Sequence, residues 1–293
     1  MDAEGLSRAV RQQVGMGRLL PLGDAADGAW LAETAAVTTL RTAGSRDLPD
    51  VRLGALRLSA ADPGRAVAPV VTPPPSALPP GPLRVGAEFE STPHAPLTTM
   101  AELLRATLLT AADRELGLRV TTVDLRITDL LESGDGHNGH GSPGTSGARN
   151  PAGNGGGAGA GTGRRQEGRK RHPPGGGEHP PPAPADDPRG TATAQAVIAV
   201  PGVARLAPVL GPLGRLPTEA VDVTDTVDRD GCTAARHLLI QLAVAEGARA
   251  LDVVRAVRRA AEKAAAWDAE EEALPVTVAV LVSAIDPAAG RSR

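Results

Sequence analysis

Two pairs of segments alternate apolar and polar residues with a period of two, and their spacing recurs. In "LRVGAEFE" (83–90), Leu83, Val85, Ala87 and Phe89 share one face, with Arg84, Glu88 and Glu90 opposite. In "LLIQLAVA" (238–245), Leu238, Ile240, Leu242 and Val244 do the same. "VDLRIT" (123–128) sets Val123, Leu125 and Ile127 against Asp124, Arg126 and Thr128, and "VAVLVS" (278–283) repeats this with Val278, Val280 and Val282. Such alternation predicts half-buried strands. Leu83 to Leu238 is a step of 155 and so is Val123 to Val278, the mark of an internal repeat.

Between these strands each half predicts an amphipathic helix. Met100, Leu103, Leu104, Thr107, Leu108 and Ala111 form the first stripe, and Thr99 with Glu102 has the spacing of a capping box at its start. Leu251, Val254, Val257 and Ala261 form the second, with Asp252, Arg255, Arg259 and Glu262 outside. A further helix and strand precede each pair. "DGAWLAETAAVTTLRTA" (27–43) leads to "LPDVRLGALRL" (48–58), as "TATAQAVIAV" leads to "PGVARLAPVL". Long connectors follow, "SAADPGRAVAPVVTPPPSALPPGP" and "GPLGRLPTEAVDVTDTVDRDGCTAAR". Each half therefore reads helix, strand, strand, helix, strand. The expected class is α+β: two small two-layer units, two helices on a three-stranded sheet, in tandem.

Composition locates the division. The chain has 293 residues with 35 Gly and 27 Pro, and these concentrate in 133–190, which holds almost no side chain able to enter a core. Such a segment is expected to be a disordered linker. The organisation read here is an N-terminal arm (1–23), a first unit (24–132), the linker (133–190), a second unit (191–286) and a short tail (287–293). The stretch 5–23 carries a short apolar face, Leu6, Ala9, Val10 and Val14, then Gly15 and Gly17 before Leu19 and Leu20. It suits either docking on a partner or packing on the first unit.

In "AVIAVPGVARLAPVLG" (196–211), Pro201-Gly202 suits neither the middle of a helix nor of a strand. It reads as the corner between the second unit's first helix and first strand, with Gly202 at positive φ; "LPDV" (48–51) is its counterpart, with Asp50 at the glycine position. A helix ending in "IAVPGVARL", a two-strand segment, an "LDVVRAVRRAAEKA" helix and a closing "VTVAVLVSAID" resemble the alkaline-shock, or general-stress (Gls-type), envelope stress response family, here as a tandem member of the actinobacterial type. The similarity covers about 191–286 well and 27–131 more loosely. It implies a non-enzymatic bacterial protein of the envelope stress response, held at the inner face of the membrane by a small membrane-anchor partner.

Chemistry changes this picture little. Aromatic residues are limited to Phe89, Trp30 and Trp267, so a large ring-lined pocket is not expected. Net charge is −3, which gives no general pull to nucleic acid or anionic lipid. Cys232 stands alone, five residues before His237 and near Asp228 and Asp230; it reads as a small residue in a turn rather than a nucleophile. His137, His140, His172 and His179 lie among glycines and prolines and read as solvated, not metal-ligating. "GGGAGA" (155–160) fits a dinucleotide fingerprint only by glycine abundance, with no strand before it. "RRQEGRKRH" (164–172) is the one basic run and lacks aromatic partners for stacking bases. "PPPSALPPGP" (73–82) reads as a stiff spacer. No catalytic residue, cofactor site or metal site is assigned. The expectation is a cytoplasmic scaffold, without its own membrane span, acting through protein contacts that include a membrane anchor or single-unit relatives. A weak nucleic-acid binder using the basic run is the alternative. The outer strands "VRLGALRL" and "ARLAPVL" are the expected docking edges, the second limited by Pro208.

Overall fold

The computed structural model describes residues 15–131, 188–207, 220–227, 233–266 and 275–287. These build a mixed α+β structure with nine strands and four α-helices among the described residues. The strands are β1 (Leu19–Pro21), β2 (Ala29–Ala32), β3 (Val51–Ala60), β4 (Leu83–Ser91), β5 (Val120–Leu130), β6 (Val203–Leu206), β7 (Val221–Val227), β8 (Thr233–Ala245) and β9 (Val276–Asp286). The helices are α1 (Glu33–Asp47), α2 (Leu97–Ala111), α3 (Pro188–Ile198) and α4 (Ala250–Ala266). Most of 133–190 lies outside the described residues, but Pro188–Gly190 open α3, so the helix reaches into the segment that composition assigns to the linker.

One sheet follows expectation. β3 and β4 pair antiparallel, β4 and β5 pair parallel, and the order is β3-β4-β5. Leu83, Val85, Ala87 and Phe89 are buried, as alternation predicts, with Leu56 and Leu58 of β3 and Val123 of β5. α1 packs on β3 and α2 on β5, and the two helices touch. Gly44 lets α1 approach closely, because a Cβ there would lie 2.7 Å from Leu53 Cδ1. α1 ends before Pro49, where the backbone preference of a residue preceding proline opposes helix. α2 differs from expectation at its start. It begins at Leu97 with Pro96 in the capping position, so Thr99 lies inside the first turn and no side chain caps the helix. Met100, Leu104, Leu108 and Ala111 are buried, while Leu103 is 48 % exposed.

The other sheet is larger than three strands. Its order is β1-β2-β9-β8-β6, and β7 also pairs with β8. The strand pair β8–β9 is parallel, with Leu238 opposite Val278. In the first sheet Val85, not Leu83, faces Val123. The sequence step of 155 is thus offset by two residues between the ladders, a shift that leaves every side chain on its original face. β7 lies in what reads as a connector, although "VDVTDTV" alternates with period two.

The main departure comes from residues 16–32. "DGAWLAETAAVTTLRTA" is not one helix: Ala29–Ala32 form β2, and α1 starts at Glu33. β2 runs parallel to β9, pairing Ala29 with Val280, Trp30 with Leu281 and Leu31 with Val282. β1 then pairs with β2. Met16, Leu19, Leu20 and Leu22 are buried, so the described part of the arm is core of the chain itself. The proline-rich connector is held there too. Leu78 N donates to Leu19 O at 2.8 Å, and Trp30 Nε1 donates to Leu78 O at 3.2 Å. β8 and β9 are therefore covered on both faces, which explains the burial of Gln241, Ala243 and Leu281 beside the alternating set. One hydrophobic cluster runs through both sheets, from Leu40 and Phe89 to Val257 and Val280.

Candidate functional site

Two sets of polar contacts tie α4 to earlier parts of the chain. The turn Ala25–Asp27 presents the Asp27 carboxylate to Arg255 of α4, whose Nε and Nη2 donate at 2.8 and 3.0 Å. Asp24 N donates to the same carboxylate at 2.7 Å, and Arg258 Nη1 donates to Ala26 O. Burial alone pushes the Asp27 carboxyl up, but the Arg255 fork, the Asp24 amide and the Arg258 charge together hold it below the ordinary carboxylate value. Arg255, expected on the outer face, is thus an anchor. Arg249 adds a second tie, donating to Asp113 O at 2.8 Å and Asp113 Oδ1 at 3.0 Å.

His237 lies on β8, half-buried, with Nδ1 2.9 Å from Thr277 Oγ1; Thr277 Oγ1 donates in turn to Arg236 O at 3.3 Å. Burial pushes the imidazole below its ordinary value, and Asp222 pulls it partly back. Cys232, Asp228, Asp230, the histidines at 137, 140, 172 and 179, the glycine run, the basic run and Pro208 lie outside the described residues. Among the described residues, no three His, Cys, Asp or Glu side chains gather as a metal site, and no helix is long and apolar enough to cross a membrane.

Two concave features lie among the described residues. A crevice of about 20 Å³ lies between Met16, Leu19, Pro74, Pro75 and Gln241, roughly room for one water. An open groove of about 250 Å³ runs along Arg41, Pro49, Val51, Arg52 and Leu53, short of an ordinary ligand pocket.

The sheet edges carry more information. β3 is an edge strand, as its sequence predicts, but α1 covers its free backbone groups. Glu33 Oε1 accepts from Leu58 N at 3.1 Å, while Arg41 donates to Leu53 O at 2.9 Å and also to Gly54 O. The last two carbonyls sit at a bulge between Leu53 and Leu56. Helix side chains thus block the pairing of another strand along much of this edge. β6 ends the path of the larger sheet, as predicted, but holds only four residues. β5, the opposite edge of the smaller sheet, has eleven residues, and 126–130 are exposed. Its outward polar face is laced to β4: Arg84 Nε lies 3.4 Å from Asp124 Oδ2, and Arg126 Nη1 lies 3.3 Å from Glu88 Oε1. Edge status was not legible for β5, because alternation reports which face is buried and not which strand is outermost.

Comparison of the chain with family models, with curated proteins and with solved structures finds no match.

Proposed function

We propose that the chain is a non-enzymatic binding or scaffold protein of the bacterial envelope stress response, acting through protein–protein contacts. The supporting observation is element order. Helix, strand, strand, helix and a strand parallel to its predecessor run from Glu33 to Leu130. In the second half α3 turns into β6 through Gly202 at φ +91°, the corner on which the family resemblance rests. The two halves are diverged repeats that share one core, and the reading of the segment between them as a linker is supported by its composition. The partner is a small membrane-anchor protein or a single-unit relative, and the location is the cytoplasmic side of the membrane.

The test is co-purification with a chain truncated only to residue 14, since Met16 and Leu19 are buried. Capture from stressed bacteria of a small protein bearing a membrane-spanning helix, reproduced with the two purified components, supports the reading. Recovery of nucleic acid alone, lost on deleting 164–172, moves the function to the nucleic-acid alternative. A turnover activity lost in Cys232→Ser overturns both.

A further inference from the structure

We infer that the β5 edge is a self-recognition strand, pairing antiparallel with β5 of a second copy of this chain about a two-fold axis at Leu125. The inference is independent of the envelope assignment. Arg105 Nε of α2 donates to Val123 O at 3.4 Å, so that carbonyl faces away from β4. Alternation along the strand turns the amides and carbonyls of Leu125 and Ile127 the same way. The ladder is regular from Thr122 to Ile127, opposite Arg84 to Phe89, with register shifts on either side. Centred on Leu125, the five residues from Val123 to Ile127 are therefore a symmetric stretch of regular edge.

The residues on that stretch are self-complementary. With Leu125 opposite Leu125 of the second copy, Asp124 faces Arg126, Arg126 faces Asp124, and Val123 faces Ile127. Thr122 and Thr128 follow at the two ends of this stretch. Opposed residues in an antiparallel pair lie on the same face, so apolar meets apolar on the helix-covered side and acid meets base on the outer side. Ile127 is 38 % exposed in the single chain and gains a neighbour in Val123 of the second copy. Asp124 and Arg126 keep room for this second contact, with side chains 60 % and 78 % exposed despite their pairs with Arg84 and Glu88. A two-fold axis normal to the sheet joins the three-stranded sheets into one of six, a closed arrangement that does not propagate. The Arg105 side chain swings off Val123 O as the second strand arrives.

Among the described residues, the other edges lack this match. β3 is covered by Glu33 and Arg41. β1 and β6 hold only three and four residues, and β7, with Asp222 and Asp225 but no basic residue in its sequence, offers no acid-to-base match to a second copy of itself.

Single charge reversals and their mixture test the inference. Sedimentation of the full chain, from micromolar to high-micromolar concentration, should show a reversible monomer–dimer equilibrium. Asp124→Arg and Arg126→Asp should each weaken it by at least about tenfold, because each places like charges opposite one another twice. An equimolar mixture of the two variants should regain a dimer. Positions 124 and 126 are both basic in the first variant and both acidic in the second, so every facing pair is again of opposite sign. Any strain each variant carries against Arg84 or Glu88 is the same alone and mixed. Amide exchange at Leu125 and Ile127 should slow as wild-type concentration rises. A wild-type chain monomeric at every concentration overturns the inference. So do single variants that dimerise as well as wild type, or a mixture that stays monomeric.

Discussion

Gly202 sits at φ +91°, and a Cβ built there would lie 2.6 Å from Val253 Cγ2 and 3.1 Å from the Ala248 Cβ. Two costs coincide: a left-handed backbone that L side chains avoid, and crowding against the start of α4. Gly202→Val should lower stability by roughly 2–3 kcal/mol, read as a fall in Tm, and an unchanged Tm would remove glycine's role at this corner. Asp50, at the equivalent corner, is not at positive φ, so the first half turns there without the same demand. Asp27 gives a prediction with a sign. Its folded carboxyl is held below the ordinary 3.8, so its contribution is present above that value and is lost as pH falls through the depressed one. Asp27→Asn should cost about 1–2 kcal/mol near neutral pH by weakening the bond to Arg255. Denaturant melts should show the gap between variant and wild type closing below about pH 4. A gap that persists in acid would mean that the carboxylate's charge is not what matters.

At the scale of elements, β2 does the most with the fewest residues. Four residues add two strands, β2 and through it β1, to the β9 edge, and Trp30 is the plug, 1 % exposed and bonded to Leu78 O. Trp30→Ala should cost about 3–5 kcal/mol. Hydrogen exchange should speed up at Leu78, whose amide bonds Leu19 O, and at Val280, whose amide bonds Gly28 O. Loss confined to residues near Trp30 in sequence would contradict this coupling. β4 and β5 were legible because one face meets the core and the other meets water; β8 and β9, buried on both faces, were legible because their large apolar residues still fall at every second position. β2 was not, since "AWLA" is buried on every side and a short apolar run next to a helix-forming stretch reads as helix. The Asp27–Arg255 anchor was also hidden: Arg255 falls on the polar face of its helix, and no local pattern says that a turn 228 residues earlier covers it. β7 had a period-two pattern, but the Asp, Gly and Thr around it suggested a connector.

For the whole molecule, one hydrophobic cluster joins segments that lie on either side of the 133–190 stretch. The described parts of both halves belong to a single compact unit, consistent with β2 lying beside β9 and with Arg255 and Arg249 gripping Asp27 and Asp113. A chain built this way keeps its halves together by shared core rather than by covalent connection, because pairing of β2 with β9 and burial of Trp30 and Leu31 do not require the intervening residues. The most direct test is to insert a specific protease site between residues 140 and 180 of the full chain, cut it, and follow the product by size-exclusion chromatography with light scattering. The two fragments should elute together at the mass of the uncut chain and melt in one transition. Separation into two fragments that each remain folded would contradict the shared core.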